Sequence, residues 1–343
     1  MSDVKPTVSV VIVNYNGGQL LNECVQSLRG QTYPIERILI VDNASTDGSL
    51  AVVEMFPGVE KMPLGYNSGF AEGNNVAFER CDTDFVALLN PDAIADPHWL
   101  EELIATAAQH PEAGSFGCRQ MQPGTDGLLD GTGDVYHASG LVWRRGYNRP
   151  MRARDLEAAP IFSACGGAVL YRTLAIKAAG GFDSRFFCYV EDVDLGFRLR
   201  LAGWQCRYVP SALVYHVGGV SSGGPQSEFS LYHGHRNLVW TFVKNMPGFL
   251  FWLFLPSHIA LNVATVVIFA ARGYGRILLK AKYDAVRGLS DMIRARKDLQ
   301  ANRKVGALSI LKALDYSPIP NFRELRRKLN AVVQPVCRRL NRR

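Results

Sequence analysis

The stretch VSVVIVNYN, residues 8–16, gives the first indication of the fold. It is a nearly continuous run of β-branched apolar residues that ends in polar ones. A strand in a parallel sheet is covered by helices on both faces, so its side chains form continuous apolar runs. The stretch therefore predicts a buried parallel strand near the N-terminus.

The same pattern recurs through the following hundred residues. Buried strands are predicted at RILIVDNAS (37–45) and DFVALLNPDA (84–93). Helical spacing of apolar residues is present in residues 17–31, 45–56, 69–81 and 96–110. Strand–helix repetition of this kind predicts an α/β fold with a mostly parallel sheet and right-handed crossovers.

Polar residues end each of these strands, and parallel sheets bind their ligands at the carboxyl ends of strands. Asp42 and Asp92 are therefore candidates for binding roles, although Asp and Asn also favour ordinary turns. GYNSGFAEGNN (65–75) is glycine-rich before a helix, which suits close approach of the backbone to a phosphate or a sugar.

Three acids crowd into FFCYVEDVDLGFRLRLAGW (186–204), at Glu191, Asp192 and Asp194. Acids are favourable in the first turn of a helix, which is one explanation. The other is that one carboxylate is a catalytic base. His216, after the apolar run ALVYH, is likewise either a buried structural histidine or a metal ligand.

The chain has 343 residues, 48% of them hydrophobic and 20% charged, which predicts a folded protein of about two domains. Its charge is uneven. Residues 1–271 contain 19 basic and 26 acidic side chains, whereas residues 272–343 contain 19 basic and 5 acidic ones. Such a basic tail favours an anionic partner, either nucleic acid or a membrane surface.

Cysteine usage predicts a reduced, cytosolic chain. The seven cysteines are odd in number and form no CxxC pair, unlike a disulfide scaffold or a zinc module. The N-terminus shows no signal-peptide pattern. Residues 123–160 lack periodicity, which predicts a functional or disordered loop.

Residues 249–271 contain no Lys, Arg, Asp or Glu and are long enough to cross a bilayer. Pro256, His258 and Asn262 lie inside this stretch and argue against a simple crossing. We expect an in-plane or re-entrant segment, broken near Pro256, with the basic helices after it on anionic headgroups.

Taken together and in order, these motifs resemble the family two glycosyltransferases, in particular the rhamnosyltransferase-like branch. The resemblance covers about residues 7–245 and is carried by the motifs VSVVIVNYNGGQLLNECVQSL, VDNASTDGS, NSGFAEGNN, LLNPDA, GGFDSRFFCYVEDVDLGFRLRLAGW and YHGHRNLVWTFVKN. It implies a GT-A Rossmann-like, mostly parallel sheet flanked by helices. It also implies a catalytic domain at 1–245 and a helical, membrane-associating C-terminal extension at 246–343.

The same resemblance assigns roles near the reacting sugar. Asp192 would be the base that deprotonates the acceptor, and Glu191 would shape the acceptor site. Asp194 would cap the helix. Gly166 and Gly167, which lack side chains, would let sugars approach the backbone.

Roles at the donor follow in the same way. Val13 and Tyr15 would line the nucleoside pocket, Asp42 would accept a hydrogen bond from the pyrimidine ring, and Asn67 would reach the nucleotide. Asn90 stands where the family's Asp-x-Asp motif has its first acid, and it would border the nucleotide.

The resemblance also implies a divalent metal ion, Mg²⁺ or Mn²⁺, because the diphosphate leaving group gains negative charge. Asp92 is the one carboxylate that remains in the Asp-x-Asp position. His216 is the candidate for the second protein ligand, with positions left open for the diphosphate.

The expected activity is inverting transfer of a sugar to a hydroxyl of a lipid-linked or envelope glycan. dTDP-rhamnose is the first candidate donor and a UDP-hexose the alternative. The expected location is the cytoplasmic face of the inner membrane, peripheral or monotopic. A nucleotidyltransferase would need a Gly-rich Arg/Lys loop that is missing here. A nucleic-acid module is disfavoured because aromatic residues are sparse in the basic tail.

Overall fold

The computed structural model describes residues 5–53, 57–219, 223–224 and 226–316. The strands are β1 (Val8–Asn14), β2 (Arg37–Asp42), β3 (Val59–Pro63), β4 (Phe85–Leu89), β5 (Ala93–Ala95), β6 (Ala113–Met121), β7 (Leu128–Gly131), β8 (Asp134–Tyr136), β9 (Val142–Arg144), β10 (Arg149–Pro150), β11 (Ala159–Pro160), β12 (Ala168–Arg172) and β13 (Gln205–His216). The α-helices are α1 (Gly18–Arg29), α2 (Ser49–Val52), α3 (Gly69–Phe78), α4 (Trp99–Gln109), α5 (Thr173–Ala178), α6 (Glu191–Leu201), α7 (Glu228–Asn245), α8 (Gly248–Ala270), α9 (Gly275–Arg287), α10 (Leu289–Ala301) and α11 (Ala307–Ala313).

The N-terminal half of the sheet is parallel, as predicted. Strands β3, β2, β1 and β4 pair in that order, and every residue of β1 is buried. Asn14 at the end of β1 lies in register with Asp42 at the end of β2. The polar ends predicted from the sequence therefore meet at one edge of the sheet.

The other half of the sheet is mixed. Strand β12 runs antiparallel to both β4 and β6, and β13 then pairs parallel to β6. Strands β5 and β11 pair with β13. Strand β7 pairs with β6, and β10 pairs with β7. An α/β sheet flanked by helices is confirmed, with parallel pairing in its first four strands and between β6 and β13.

Residues 123–160 contain ordered strands, so the expectation of an irregular loop is wrong. Strands β7 to β11 lie in this segment, and β8 and β9 form a separate two-stranded sheet. These strands have only two to four residues each, too few for an alternating pattern to be recognised in the sequence. The helix expected at 45–56 is also shorter, because α2 covers only Ser49–Val52. Residues 54–56 of that prediction lie outside the described residues.

Helix α8 is, within the described ranges, the one helix long and apolar enough to cross a membrane. It continues through Pro256, so the expected break there is wrong. A proline removes one backbone donor from the helix. Ser257 Oγ donates to the Phe254 carbonyl at 2.7 Å, so a carbonyl two residues before the proline has a side-chain donor. Helix α8 packs against α9 and α11, and α7 packs against α9 and α10.

Helix α6, which carries the acidic cluster, packs closely on the segment before β12. A Cβ at Gly196 would overlap Ser163 Cβ and lie 3.2 Å from Ser163 Cα. By contrast, a Cβ at Gly234 in α7 would meet no atom within 4 Å. The two helical glycines therefore differ in the space around them.

We expect opposite effects from alanine at these two positions. Gly196→Ala should lower the free energy of unfolding by about 1–3 kcal/mol through overpacking, despite the better helix propensity of alanine. Gly234→Ala should leave it unchanged or raise it by up to about 1 kcal/mol. Urea denaturation of the two variants makes the comparison. Equal effects would contradict the close packing of α6.

Candidate active site

The ends of β1 and β2 form an ordered polar edge. Asn14 Nδ2 donates to Asp42 Oδ1 at 2.7 Å, and the Ser45 amide donates to Asp42 Oδ2 at 3.0 Å. Asn14 Oδ1 accepts from the Gly17 amide at 3.2 Å. Both oxygens of the buried Asp42 carboxylate are thus held by the protein at the position predicted to contact the nucleotide.

The other predicted nucleotide residues lie around this edge. A Cβ at Gly73 would come within 2.9 Å of Val13 Cγ1, so α3 packs directly on the end of β1. Tyr15 is exposed. Asn67 is exposed and accepts from the Gly69 amide at 3.0 Å. Asn43 Nδ2 donates to the Gly69 carbonyl at 3.1 Å and so ties this turn to the end of β2.

Asn90, Asp92 and His216 come together beside Gly167. His216 Nε2 lies 3.2 Å from Asp92 Oδ1 and 3.2 Å from Asn90 Nδ2. The Gly218 amide donates to Asp92 Oδ2 at 3.1 Å. A Cβ at Gly167 would lie 3.4 Å from His216 Cε1. The candidate metal ligands, 124 positions apart in the sequence, are therefore neighbours in the fold.

Asp130 holds the opposite side of the His216 ring. His216 Nδ1 lies 2.7 Å from Asp130 Oδ2, and Arg144 Nη1 donates to the same carboxylate. Burial opposes a charge on His216, but the hydrogen bonds to Asp130 and Asp92 outweigh it and raise its pKa to about 9. Burial opposes the charge on Asp130 as well, but Arg144 and His216 keep the pKa of Asp130 below its usual range.

The donor atoms of this pair fit a divalent cation. A carboxylate oxygen and an imidazole nitrogen suit Mn²⁺, and the carboxylate also suits Mg²⁺. Among the described residues, no group of three or more His, Cys, Asp or Glu side chains is arranged to hold a metal ion. Asp92 and His216 would therefore supply two ligands, and a bound diphosphate and water would supply the others.

Asp192 lies on the other side of the Gly166–Gly167 pair. The Gly166 amide donates to Asp192 Oδ2, and the Val193 amide donates to Oδ1, both at 2.8 Å. Burial raises the pKa of Asp192 above that of an ordinary carboxyl, against the opposing effect of these hydrogen bonds. The residue is thus oriented by two backbone donors and holds its proton more tightly than a free aspartate.

Two further carboxyl groups are buried near Asp192. Glu191 is 5% exposed, and its buried Oε2 has no hydrogen-bond partner. Asp134, at the start of β8, is 7% exposed, with Ser163 Oγ 3.5 Å from its Oδ2. Burial, followed by the charge of Asp192, raises the pKa of both groups well above the usual carboxyl range.

The backbone before Asp192 is strained. Phe187, Tyr189 and Val190 all have positive φ values, which non-glycine residues adopt only at an energetic cost. Asn237 Nδ2 on α7 donates to three carbonyls of this segment, those of Phe186 at 3.0 Å, Cys188 at 3.0 Å and Tyr189 at 2.7 Å. The fully buried Asn237 side chain therefore fixes the segment that presents Asp192.

Asp194 does not cap helix α6, so the role expected for it is wrong. Its side chain is fully buried and accepts from Arg198 Nε at 2.9 Å, Lys244 Nζ at 2.8 Å and Asn245 Nδ2 at 2.7 Å. Lys244 also donates to Asp183 at 2.7 Å. These hydrogen bonds join α6 to α7, a long-range contact that spacing within one helix does not reveal.

Sequence reasoning missed Asp130, Asp134, Arg144 and Asn237. The segment LDGTGD (129–134) contained a signal, two acids that flank glycines, but its pairing with β9 was not recognisable. Asn237 lies in YHGHRNLVWTFVKN, which carried the family resemblance without indicating its role. These residues belong to elements whose contacts form only in the folded protein.

Comparison with known proteins agrees with this geometry. The sequence profile of glycosyl transferase family 2 matches residues 9–177. The chain is 34% identical over 258 residues to the N-acetylglucosaminyl-diphospho-decaprenol L-rhamnosyltransferase of Mycobacterium tuberculosis, a match that covers 68% of this chain and 82% of that protein.

Two solved structures show the same fold. GalNAc-T7 with UDP, GalNAc and Mn²⁺ superposes with a TM-score of 0.58 at 16% identity, covering 71% of this chain and 48% of that one. The mannosyltransferase PcManGT of Pyrobaculum calidifontis, in complex with GDP-Man and Mn²⁺, superposes with a TM-score of 0.54 at 16% identity, covering 91% of this chain and 88% of that one.

These matches define the class of the protein. It is a glycosyltransferase with the GT-A fold, as the sequence motifs predicted. The chain belongs to glycosyltransferase family 2 and is similar to the rhamnosyltransferases of that family.

The Asn237 contacts generate a stability prediction. Asn237→Ala removes the buried hydrogen bonds that this side chain donates to the segment before Asp192, so the free energy of unfolding should fall by about 2 kcal/mol. Amide hydrogen exchange at residues 187–190 should accelerate. Asn302→Ala is the matched control, because Asn302 Nδ2 donates to one carbonyl at an exposed helix end. Unchanged exchange at 187–190 in Asn237→Ala would contradict the role assigned to Asn237.

Proposed function

We propose that this glycosyltransferase moves rhamnose from dTDP-rhamnose to a hydroxyl group of a lipid-linked glycan, with inversion at the anomeric carbon. The observation that carries the proposal is the 34% identity to the N-acetylglucosaminyl-diphospho-decaprenol L-rhamnosyltransferase of Mycobacterium tuberculosis. Asp42, which is held by Asn14 and the Ser45 amide, would accept a further hydrogen bond from a pyrimidine ring. A UDP-hexose remains the alternative donor.

The proposed mechanism divides the site at Gly166 and Gly167. On one side, Asp92 and His216 would hold Mn²⁺ or Mg²⁺, and the ion supplies positive charge for the departing diphosphate. Val13, Tyr15, Asp42, Asn67 and Asn90 would border the nucleotide.

On the other side, Asp192 would take the proton of the acceptor hydroxyl. Glu191 would shape the acceptor site. The two backbone donors on Asp192 orient its carboxylate, and attack from the face opposite the diphosphate inverts the sugar. The base must be ionised to work, and burial raises the pKa of Asp192. The rate of transfer should therefore rise with pH through a range above that of an ordinary aspartate.

We expect Asp192→Asn to lower kcat by about 10²-fold or more, because general-base catalysis acts in the transition state. Its affinity for dTDP-rhamnose, measured by calorimetry, should stay near that of the wild type. The assay follows transfer to a polyprenyl-diphosphate N-acetylglucosamine acceptor from dTDP-rhamnose and from UDP-hexoses. A variant with most of its kcat would exclude Asp192 as the base. Faster transfer from a UDP-hexose would exclude dTDP-rhamnose as the preferred donor.

We also propose that residues 246–343 attach the catalytic domain, residues 1–245, to the cytoplasmic face of the inner membrane without a single crossing. A helix that crossed a bilayer would hold its middle residues in the hydrocarbon region. His258, near the middle of α8, instead has its Nδ1 2.7 Å from the Ser139 carbonyl and stacks on Phe242 at 4.0 Å. These contacts support a helix that lies along the protein surface.

The opposite side of α8 offers an apolar surface to a membrane. The following residues of α8 are apolar and more than half exposed: Phe249, Trp252, Leu253, Ile259, Val263 and Val267. Helix α9, which packs against α8, also has exposed apolar residues, Leu279, Tyr283 and Val286, and the exposed basic residues Arg276 and Arg287. Each basic residue near an anionic surface contributes about 1 kcal/mol to attachment.

We expect the wild-type protein to float with liposomes that contain phosphatidylglycerol. The double variant Trp252→Glu/Val263→Glu should not float, because it places two charges on the apolar surface. Leu174→Glu is the matched control, since Leu174 is 72% exposed on α5. Flotation of the double variant would contradict the assigned surface.

In sealed inside-out vesicles protease should digest both the catalytic domain and a C-terminal tag, and a protected tag would indicate a single crossing.

A further inference from the structure

We infer that Asp130 and Arg144 are positioning residues that fix the His216 ring so that its Nε2 faces the proposed metal. The inference rests on the proposed metal site at Asp92 and His216. Neither residue was recognised in the sequence, and both lie in the segment that was expected to be an irregular loop.

The geometric argument begins with the order of the contacts. Arg144 Nη1 donates to Asp130 Oδ2, and the same oxygen lies 2.7 Å from His216 Nδ1. His216 Nε2 then lies 3.2 Å from Asp92 Oδ1. Asp130, His216 and Asp92 are each less than 8% exposed. The contacts therefore form one continuous series. It runs from Arg144 on β9 through Asp130 and His216 to Asp92, the carboxylate proposed to bind the metal.

The second step concerns the proton on the ring. A carboxylate accepts hydrogen bonds, so Asp130 holds a proton on Nδ1 of His216. A metal ion at Nε2 would replace the proton of that nitrogen, which faces Asp92. A carboxylate that orients a metal-binding histidine in this way typically raises metal affinity by a factor of about 10 to 100. Asp130 is the carboxylate that would orient His216 in this way.

The third step concerns Arg144. An ionised carboxylate as deeply buried as Asp130 is costly without a cationic partner. Arg144 reaches it across Gly131, where a Cβ would lie 2.5 Å from Arg144 Cγ. Any other residue at 131 would therefore displace the Arg144 side chain. The close approach of Gly131 allows Arg144 to stabilise the charge on Asp130.

The chain offers a matched control in the same segment. Arg149 and Asp155 form a second buried pair, with Nη1 and Nη2 each 2.6 Å from one carboxylate oxygen. Asp155 is 4% exposed, like Asp130 at 3%. The Asp155 carboxylate accepts from Arg149 and from the Arg152 amide, whereas His216 contacts Asp130. Loss of Asp155 therefore removes a comparable ion pair from the same segment and leaves Asp130 in place.

The experiment measures Mn²⁺ binding by electron paramagnetic resonance, in the presence of dTDP, for the full-length protein. The variants are His216→Ala, Asp130→Ala, Arg144→Met and the control Asp155→Ala. We expect Asp130→Ala to weaken Mn²⁺ binding by about 10- to 100-fold. Arg144→Met should weaken it by a smaller factor, and Asp155→Ala should leave it at the wild-type value. Circular dichroism establishes that each variant is folded.

A second measurement needs only the wild type. The ¹⁵N chemical shifts of the His216 ring, with Mg²⁺ and dTDP bound, should show the proton on Nδ1, and His216→Ala identifies the signal. A proton on Nε2 would overturn the inference, as would unweakened Mn²⁺ binding in a folded Asp130→Ala. If His216→Ala binds Mn²⁺ as the wild type does, the proposed metal site itself is wrong. The two failures are therefore distinguishable.

Discussion

The side of the candidate site with Asp92 and His216 faces the side with Asp192 across Gly166 and Gly167. This close approach depends on the absence of side chains at the two glycines. A Cβ at Gly167 would lie 3.2 Å from Asn90 Nδ2, and a Cβ at Gly166 would lie 3.4 Å from Asp192 Cβ. The Gly167 carbonyl also accepts from the Asn90 amide at 2.9 Å. The strand end at β4 and the start of helix α6 can therefore face each other across one dipeptide. A sugar that binds there would contact both.

Their partners divide the acids of the site into two groups whose pKa values shift in opposite directions. On the side proposed for the metal, Asp92 and Asp130 have cationic or hydrogen-bonding partners, and despite burial their pKa values are lowered. On the side proposed for the acceptor, burial raises the pKa values of Asp134, Glu191 and Asp192. Carboxyl groups whose surroundings push their pKa values apart are suited to different roles in one reaction. The fold thus brings carboxyl groups with lowered pKa values and carboxyl groups with raised ones into one candidate site.

The hairpin of β8 and β9 links this site to the C-terminal helices. It carries Asp134 and Arg144 on its strands, and Ser139 in its turn contacts His258 of α8. A Cβ at Gly140 would lie 2.6 Å from His258 Nδ1, so α8 packs against the turn itself. If α8 lies on the membrane as we propose, the same hairpin joins the membrane-bound helix to the candidate site. A lipid-linked acceptor would then reach Asp192 from that surface.

The sequence by itself determined the parallel half of the sheet, the family and most of the residues of the candidate site. Continuous apolar runs specify buried strands locally, and the motifs at their ends, such as VDNAS and LLNPDA, are short and contiguous. Asp42 and Asp92 are candidates for that reason, and Asp192 is a candidate because it lies in a cluster of three acids that carries the family resemblance. The positions of Gly166, Gly167 and His216 beside them agree with the resemblance as well.

Only the tertiary structure decided how these residues are supported. Asp130 and Arg144 meet His216 through strands too short to show a periodic pattern, and Asn237 reaches the segment before Asp192 from a helix about 50 positions later. The continuity of α8 through Pro256 and the burial of Asp194 between α6 and α7 were likewise not visible. In each case the decisive hydrogen bond or packing contact joins residues that are distant in the chain. Local sequence patterns report the propensity of one segment, whereas these contacts depend on which segments the fold brings together.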